Sequence, residues 1–347
     1  MGEEKTWVGR LDRDLEPKIQ GIRDADKRYQ SLDRSVLLSI GCARKLWDKT
    51  PWHKGEEIGI NLGSSRGATA LFEGYYHSFL TQKKLSSQAS PTTTLGNLSS
   101  WVAQDLQVQG PHFSHSITCA TGLHAIANAI AWLQAGLGKK FIAGAAEAPL
   151  TPFTLAQMQA LRIYAGGKGP YPCQALHLTK RANAMVLGEG ACLAALEIKP
   201  TQKPLAWLSG LGWATEGIQH AASVTQNGEA LFQSMKRAIG TYPIGEVDAI
   251  ATHAPGTVAG DRAEYQAIQR LFGCDIPFLA NNKWKIGHGL AASGLFNLET
   301  AIAMLHEQRV FQIPYRPAQK EPKSIRNILV NAMGFGGNAI SLLVSRA

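Results

Sequence analysis

The chain has 347 residues, of which 45% are hydrophobic, and it carries a formal net charge of +9. This length can bury a large core and usually divides into two domains or one duplicated α/β unit. The sequence has no apolar run of about 18 residues, and its charged start, Met1–Lys5, is unlike a signal peptide. We therefore expect a cytoplasmic protein without a membrane span.

The cysteines of the chain are odd in number, widely spaced and without a C-x-x-C pair, and they are Cys42, Cys119, Cys173, Cys192 and Cys274. This spacing argues against a disulfide framework and against a zinc site. We expect reduced thiols and no bound metal. All the cysteines except Cys119 are interpreted as packing residues.

The positive charge is compatible with nucleic acid, an anionic surface or an acidic protein partner, and composition does not choose among them. The Lys and Arg residues are dispersed rather than gathered in one stripe. No zinc-finger spacing or RNA-binding aromatic motif is present. An acidic carrier protein is therefore the favoured partner, and nucleic acid is not expected.

In chain order, an amphipathic helix is predicted near 33–48, and β-rich apolar runs then alternate with helical patterns. The predicted strands of the first half are 58–62, 112–118, 140–144 and 191–196. Gly166–Pro172 is a rigid loop or lid, or equally a plain surface connection. After residue 200 the alternation begins again, with strands at 205–208, 247–251, 277–280 and 328–331 and helices near 225–241, 258–272 and 289–307. We predict two α/β halves, 1–200 and 201–347.

Cys119 lies between a β-branched strand and an Ala-rich helix whose small residues predict burial between sheets. A helix N-terminus presents free backbone N–H groups and positive dipole character. Both favour a thiolate and can hold an oxyanion beside it. The pattern therefore predicts a nucleophile. The alternative is a small buried packing residue.

Two histidines, His253 and His288, each follow a predicted strand within a Gly-rich turn. The carboxyl ends of strands are where sites assemble in α/β sheets, so both are expected to converge with Cys119. The alternative for each is a polar side chain with its hydrogen bonds satisfied inside the fold.

These motifs resemble the β-ketoacyl-acyl-carrier-protein synthases of the thiolase superfamily, of the elongating type with Cys-His-His chemistry. The match runs from about residue 25 to the end. Besides the cysteine segment, it is carried by Gly144–Ala148, Leu187–Ala191, His253 through Glu264, Lys283 through His288, and Gly334–Gly337. A thiolase would have a second reactive cysteine near its C-terminus, and an initiating synthase would have Asn in place of the second His.

The resemblance implies a thiolase-like fold, with two duplicated halves layered α-β-α-β-α. Its first strand and helix are missing before Trp7, so the N-terminal element is shortened. It also implies that Cys119 takes an acyl group from a carrier thioester, while the backbone N–H groups of Cys119 and Phe335 hold the oxyanion. His253 and His288 would stabilise the enolate formed when malonyl carrier loses carbon dioxide. No cofactor or metal is implied, because the substrates ride on the phosphopantetheine of acyl carrier protein.

Further residues are given supporting roles by the resemblance. Lys283 would pair with Glu264, and Phe335 would be a gate that Gly334 and Gly336 free to move. Thr257 and Asp261 would support the site. From the residues alone, other interpretations stay open: Lys283 as a solvated strand-end lysine, Gly334–Gly337 as a tight turn, and Asp261 with Glu264 as an exposed first helical turn.

The chain departs from the family pattern in three places. Pro255 replaces a Thr, which removes a hydroxyl and a backbone donor from the malonyl site. The usual Pro-Phe-Asp and Arg-Asp-Gly motifs are replaced by Tyr171–Ala175 and Arg181–Asn183, and the Thr before Asn338 is absent. Substrate handling is expected to differ, and the chain resembles the short synthases of polyene or pigment pathways.

The resemblance also implies dimerisation, as homodimer or heterodimer, through the strand at 112–118. Two other functions remain open. One is a non-condensing partner subunit, similar to a chain-length factor, that shapes a neighbour's pocket. The other is a Cys-His hydrolase, in which water resolves the acyl-enzyme and His288 and Lys283 have no role.

Overall fold

A computed structural model describes residues 6–167, 169–217, 219–220 and 224–347. Met1–Lys5 and Lys168 of the predicted loop lie outside the described residues. The helices are α1 Glu16–Ala25, α2 Arg34–Trp47, α3 Thr69–Gln82, α4 Ala89–Thr93, α5 Asn97–Leu106, α6 Thr121–Gln134, α7 Pro152–Ala160, α8 Glu229–Ile239, α9 Val258–Phe272, α10 Lys283–Ile286 and α11 Ser293–Glu307. The strands are β1 Gly59–Gly63, β2 His112–His115, β3 Lys140–Glu147, β4 Gly190–Glu197, β5 Ala206–Thr215, β6 Ala249–Ala251, β7 Phe278–Ala280, β8 Asn327–Gly334 and β9 Asn338–Arg346.

The strands form two sheets with matching topology. The first has the order β2-β1-β3-β4, and the second has the order β7-β6-β8-β9-β5. In each sheet three neighbouring strands are parallel and the next is antiparallel. Strands β1 to β4 thus correspond to β6, β7, β8 and β9, and the predicted duplication is confirmed.

Five layers result from the way the helices cover these sheets. Helices α6 and α11 contribute to one apolar cluster with β3, β8 and β9, so they lie between the sheets. Helices α2 and α5 pack on the other side of the first sheet, and α8 and α9 pack on the other side of the second. This confirms the predicted α-β-α-β-α arrangement. The first residues of α6 are buried, so the end of the helix that follows Cys119 lies inside the molecule.

Strand β5 pairs antiparallel with β9 but has no counterpart beside β4 among the described residues. Just before β4, the N–H of Gly9 donates to Leu187 O (2.8 Å) and its carbonyl accepts from Glu189 N (3.0 Å). The shortened N-terminal element stays a prediction. No helix in the described part of the chain has the length and apolar character to cross a membrane.

Several elements differ from the sequence-based expectation. The strand before Cys119 ends at His115, because the chain enters a turn at 116–120. Strand β5 continues to Thr215, past the predicted 205–208, and the first 50 residues contain α1 as well as α2. Cys274 is exposed, so its interpretation as a packing residue was wrong.

Candidate active site

Cys119 lies in a tight turn immediately before α6. Thr118 has φ +47°, a left-handed conformation that a β-branched residue rarely adopts and that costs about 1–2 kcal/mol. The hydroxyl of Thr121 holds the turn, since it accepts from Ile117 N (2.8 Å) and donates to Thr118 O (2.6 Å). The sulfur is thereby fixed at the end of a buried helix, with Cys119 only 8% exposed.

The surroundings of Cys119 are apolar. Its cluster is formed by Met158, Tyr164, Met185, Leu187 and Leu290, with Leu150, Leu155 and Ile163 packed against it. Burial, followed by the negative charge of Glu147, raises the pKa of the Cys119 thiol to about 12, although the charge of Lys283 opposes the rise. The resting sulfur is therefore a thiol, whereas the helix N-terminus alone led us to expect a thiolate.

His253 follows β6 and is fixed through its backbone. The N–H groups of His253 and Ala254 donate to the two carboxylate oxygens of Glu264 (2.9 and 2.6 Å). Asn331 Nδ2 donates to the same carboxylate (3.0 Å). Burial, then the charges of Lys283 and His288, lower the pKa of His253 well below its usual value. The imidazole is therefore neutral at pH 7.

His288 lies against the first half of the fold, where its N–H donates to Val186 O (2.7 Å). Its Nδ1 is 2.7 Å from Ser293 Oγ, and a hydroxyl donating there would leave the proton on Nε2. Burial, followed by the Lys283 charge, lowers the pKa of His288 well below normal. The His253 and His288 rings are 5.5 Å apart, edge to face at 76°. Two neutral imidazoles therefore lie in contact with each other.

His288 is also tied to the cysteine. His288 forms a parallel β-bridge with Leu187, and Leu290 follows His288 by two residues. Both leucines belong to the apolar cluster of Cys119. The charge of Lys283, the first residue of α10, lowers the pKa of the same thiol. The structure thus brings together residues that lie more than a hundred positions apart in the sequence.

Lys283 is fully buried, at 0% exposure, so the alternative of a solvated lysine was wrong. Its Nζ has no hydrogen-bond partner among the described residues. The direct pairing with Glu264 that the resemblance implied is not formed, because the carboxylate of Glu264 is taken by His253, Ala254 and Asn331. Burial lowers the pKa of Lys283 to about 8, although the charge of Glu264 favours the ammonium.

We expect Lys283→Met to be more stable than the natural chain at pH 7. The lowered pKa of Lys283 corresponds to a penalty on the order of 3 kcal/mol for burying the ammonium. Between pH 8 and 10.5 the unfolded chain holds this proton while the folded one has released it, so the stability of the natural chain rises with pH. Urea unfolding at pH 7 and pH 9.5, on both proteins, should show the variant's advantage shrinking as pH rises. An equal advantage at both values would contradict this.

Phe335 lies in the turn that joins β8 to β9, as the tight-turn interpretation predicted. Its carbonyl accepts from Thr118 Oγ1 (3.3 Å), which places its backbone beside the cysteine turn. Its ring is 40% exposed, and Gly336 has φ +87°. The assignment of Phe335 as gate and oxyanion donor stays a prediction.

Gly334 makes the contact between this turn and the cysteine turn possible. A Cβ placed on Gly334 would overlap Thr118 Oγ1 and lie 3.0 Å from the backbone N of Cys119. We expect Gly334→Ala to fold but to lose about tenfold or more of the acylation rate, because about 1 Å of misplacement is costly at a reacting centre. Intact-mass kinetics of acyl-enzyme formation would measure this. Gly245→Ala is the comparison, since a Cβ there meets no atom within 4 Å.

Asp261 and Glu264 are both fully buried, so the alternative of an exposed helical turn was wrong. Asp261 accepts from Gly256 N (2.9 Å) and Leu176 N (2.7 Å) and pairs with Lys180. Thr257 is the N-cap of α9, where its hydroxyl accepts from Gly260 N (3.1 Å). Sequence reasoning missed Ser293, Asn331 and Lys180. Ser293 and Lys180 lie outside the motifs that carry the resemblance, and Asn331 was interpreted only as the end of a strand.

The described residues contain no group of three or more side chains suited to bind a metal ion.

Two sequence profiles match the chain. The profile described as "Beta-ketoacyl synthase, N-terminal domain" covers residues 2–201, and "Beta-ketoacyl synthase, C-terminal domain" covers residues 205–314.

Similar proteins were found among characterised sequences. The chain is 26% identical to the 3-oxoacyl-[acyl-carrier-protein] synthase 2 of Coxiella burnetii, over 98% of this chain and 88% of that one. It is 24% identical to a putative polyketide beta-ketoacyl synthase 1 of Streptomyces halstedii, over 93% and 84% of the two chains.

Solved structures share the fold. A type II polyketide ketosynthase in complex with its acyl-carrier protein has a TM-score of 0.82 at 18% identity, over 98% of this chain and 88% of that one. A ketosynthase in complex with its chain length factor, from Xenorhabdus doucetiae, has a TM-score of 0.76 at 22% identity, over 91% and 82%.

Proposed function

The chain belongs to the β-ketoacyl synthase family, and from this premise we propose that it is a 3-oxoacyl-carrier-protein synthase. The reaction is a decarboxylative Claisen condensation between an acyl-cysteine and malonyl carrier protein. The observation that supports the proposal is the contact between the His253 and His288 rings, together with the bridge from His288 to Leu187 of the apolar cluster around Cys119. The division of the chain into two domains at residue 200 stays a prediction.

In the first half-reaction, Cys119 attacks the acyl thioester. The thiol is protonated at rest, and the proton that it loses leaves on the departing carrier thiol. The sulfur bonds to the carbonyl carbon, and the carrier thiol leaves with a proton. The oxyanion would be held by the backbone N–H groups of Cys119 and Phe335, whose segments meet at Gly334.

In the second half-reaction, malonyl carrier loses carbon dioxide and leaves an enolate. His253 and His288 are neutral and donate N–H hydrogen bonds to the enolate oxygen. These bonds stabilise the negative charge that develops on that oxygen in the transition state. The enolate carbon then attacks the acyl carbonyl and displaces the Cys119 sulfur. The product is a 3-oxoacyl carrier that is two carbons longer, and no further cofactor enters the balance.

Acyl carrier protein is the partner that the charge suggests, since a net charge of +9 steers an acidic protein to the site. Strand β2 is an edge strand and offers the dimer contact that the family resemblance implies. All five cysteines are free thiols, which supports a reducing, cytoplasmic setting.

The alternative of a non-condensing partner subunit shares the fold, and one structural relative is a ketosynthase with a chain length factor. A scaffold role would not need two neutral histidines and a buried lysine around the cysteine. The hydrolase alternative likewise leaves His288 and Lys283 without a role.

Intact mass spectrometry with acyl-coenzyme A and malonyl-coenzyme A separates these functions, because coenzyme A presents the same phosphopantetheine arm. We expect an acyl adduct on Cys119, followed by a 3-oxoacyl product once malonyl-coenzyme A is added. A protein that acquires no adduct would be a scaffold. One that releases free acid at the same rate with and without malonyl-coenzyme A would be a hydrolase.

A further inference from the structure

Tyr171–Asn183 contains two of the stretches in which this chain departs from the family pattern, and it lies across the two halves of the fold. At one end the Tyr171 ring contacts Trp284, the neighbour of Lys283, edge to face at 5.9 Å. At the other end Asn183 Oδ1 accepts from Val258 N (2.8 Å), at the start of α9. The segment therefore contacts both the neighbour of Lys283 and the helix that follows the His253 loop.

Lys180 is the buried cation of this segment. It is 6% exposed, and its ammonium donates to the carbonyl oxygens of Gln174 (3.2 Å) and His177 (3.4 Å) and pairs with Asp261. One side chain thus closes the 174–180 turn and joins it to the second half.

Asp261 completes the connection to the histidine loop. Its Oδ1 accepts from Gly256 N (2.9 Å) and its Oδ2 from Leu176 N (2.7 Å), so one carboxylate holds both segments. Ala184 N donates to Gly256 O (2.9 Å) and adds a backbone bond between them. Gly256 is three residues after His253 and follows Pro255, which has no N–H to fix it.

We propose that Lys180 is a positioning residue for the malonyl half-reaction, acting through Asp261 and Gly256 on the loop that carries His253. The inference rests on the proposed function. Cys119 and its turn are held by Thr121 and Thr118, which do not contact this ion pair. The loss of Lys180 therefore affects enolate formation and leaves acyl transfer in place.

The test compares two half-reactions in purified variants. Acylation is followed as mass gain from acyl-coenzyme A, and decarboxylation as carbon dioxide release from malonyl-pantetheine without an acyl donor. Lys180→Met leaves a buried, unpaired Asp261 and risks misfolding, so the double variant Lys180→Met/Asp261→Asn, which removes both charges, is measured beside it. Lys236→Met, at an exposed position on α8, is the control.

We expect the double variant to fold, to acylate within about twofold of the natural chain, and to decarboxylate about tenfold or more slowly. Natural decarboxylation in the folded double variant would overturn the inference and leave the proposed function intact. Equal loss of both half-reactions would also overturn it, since that indicates a merely structural pair. If the natural chain neither acylates nor decarboxylates, the proposed function fails and the inference fails with it.

Discussion

Cys119→Ala should abolish acyl transfer, with a loss on the order of 10³-fold or more, as expected when a nucleophile is removed. The sulfur lies in a turn fixed by Thr121 and is surrounded by an apolar cluster. Cys173 is another buried thiol on which the Lys283 charge acts, so it is the cysteine that the comparison must exclude. The variant should keep the decarboxylation of malonyl-pantetheine, because the groups that stabilise the enolate belong to the other half of the fold.

The matched control is Cys173→Ala, which also removes a buried thiol. It should acquire the acyl adduct at the rate of the natural chain. Peptide mapping of the adduct locates the modified residue. If Cys119→Ala still becomes acylated, the assignment of the nucleophile is wrong.

His288→Ala should retain acylation and lose about 10²–10³-fold of the condensation rate, the usual cost of removing one donor to an oxyanion. The ring is neutral and buried, and Ser293 Oγ lies 2.7 Å from its Nδ1. Ser293→Ala should cost less, since the ring and its Nε2 remain. Single-turnover mixing of acyl-enzyme with malonyl-coenzyme A measures the condensation step directly.

His306→Ala is the control for this prediction, because His306 is an exposed histidine on α11. It should condense at the natural rate. Condensation by His288→Ala at that same rate would remove His288 from the mechanism and leave His253 as the remaining imidazole donor.

Much of the fold could be predicted from periodicity. Helix α9 was predicted at 258–272 and spans Val258–Phe272, because a Thr cap and a Gly end mark its limits. Helices α3, α5 and α7 were not predicted. In α3, large apolar side chains such as Phe72 and Tyr76 are exposed, so its pattern does not show a single buried face.

The motifs predicted which residues form the candidate site, but they did not predict the burial or the hydrogen bonds of those residues. Nothing in the local sequence shows that Lys283 is fully buried without a partner, or that burial raises the pKa of Cys119 to about 12. Such properties arise from segments that meet only in the folded chain. The Lys180–Asp261 pair joins residues 81 positions apart, and no local pattern predicts it.

Alignment of the reacting groups depends on the seam between α6 and the second half of the fold. Gly122 on α6 packs so closely against the second half that a Cβ there would overlap Leu295 and lie 2.6 Å from Ala291 O. Gly122 follows Cys119 by three residues and Ala291 follows His288 by three, so this contact joins the segments that carry the sulfur and an imidazole. Any enlargement at this seam would therefore push the two segments apart and lower turnover for every substrate alike.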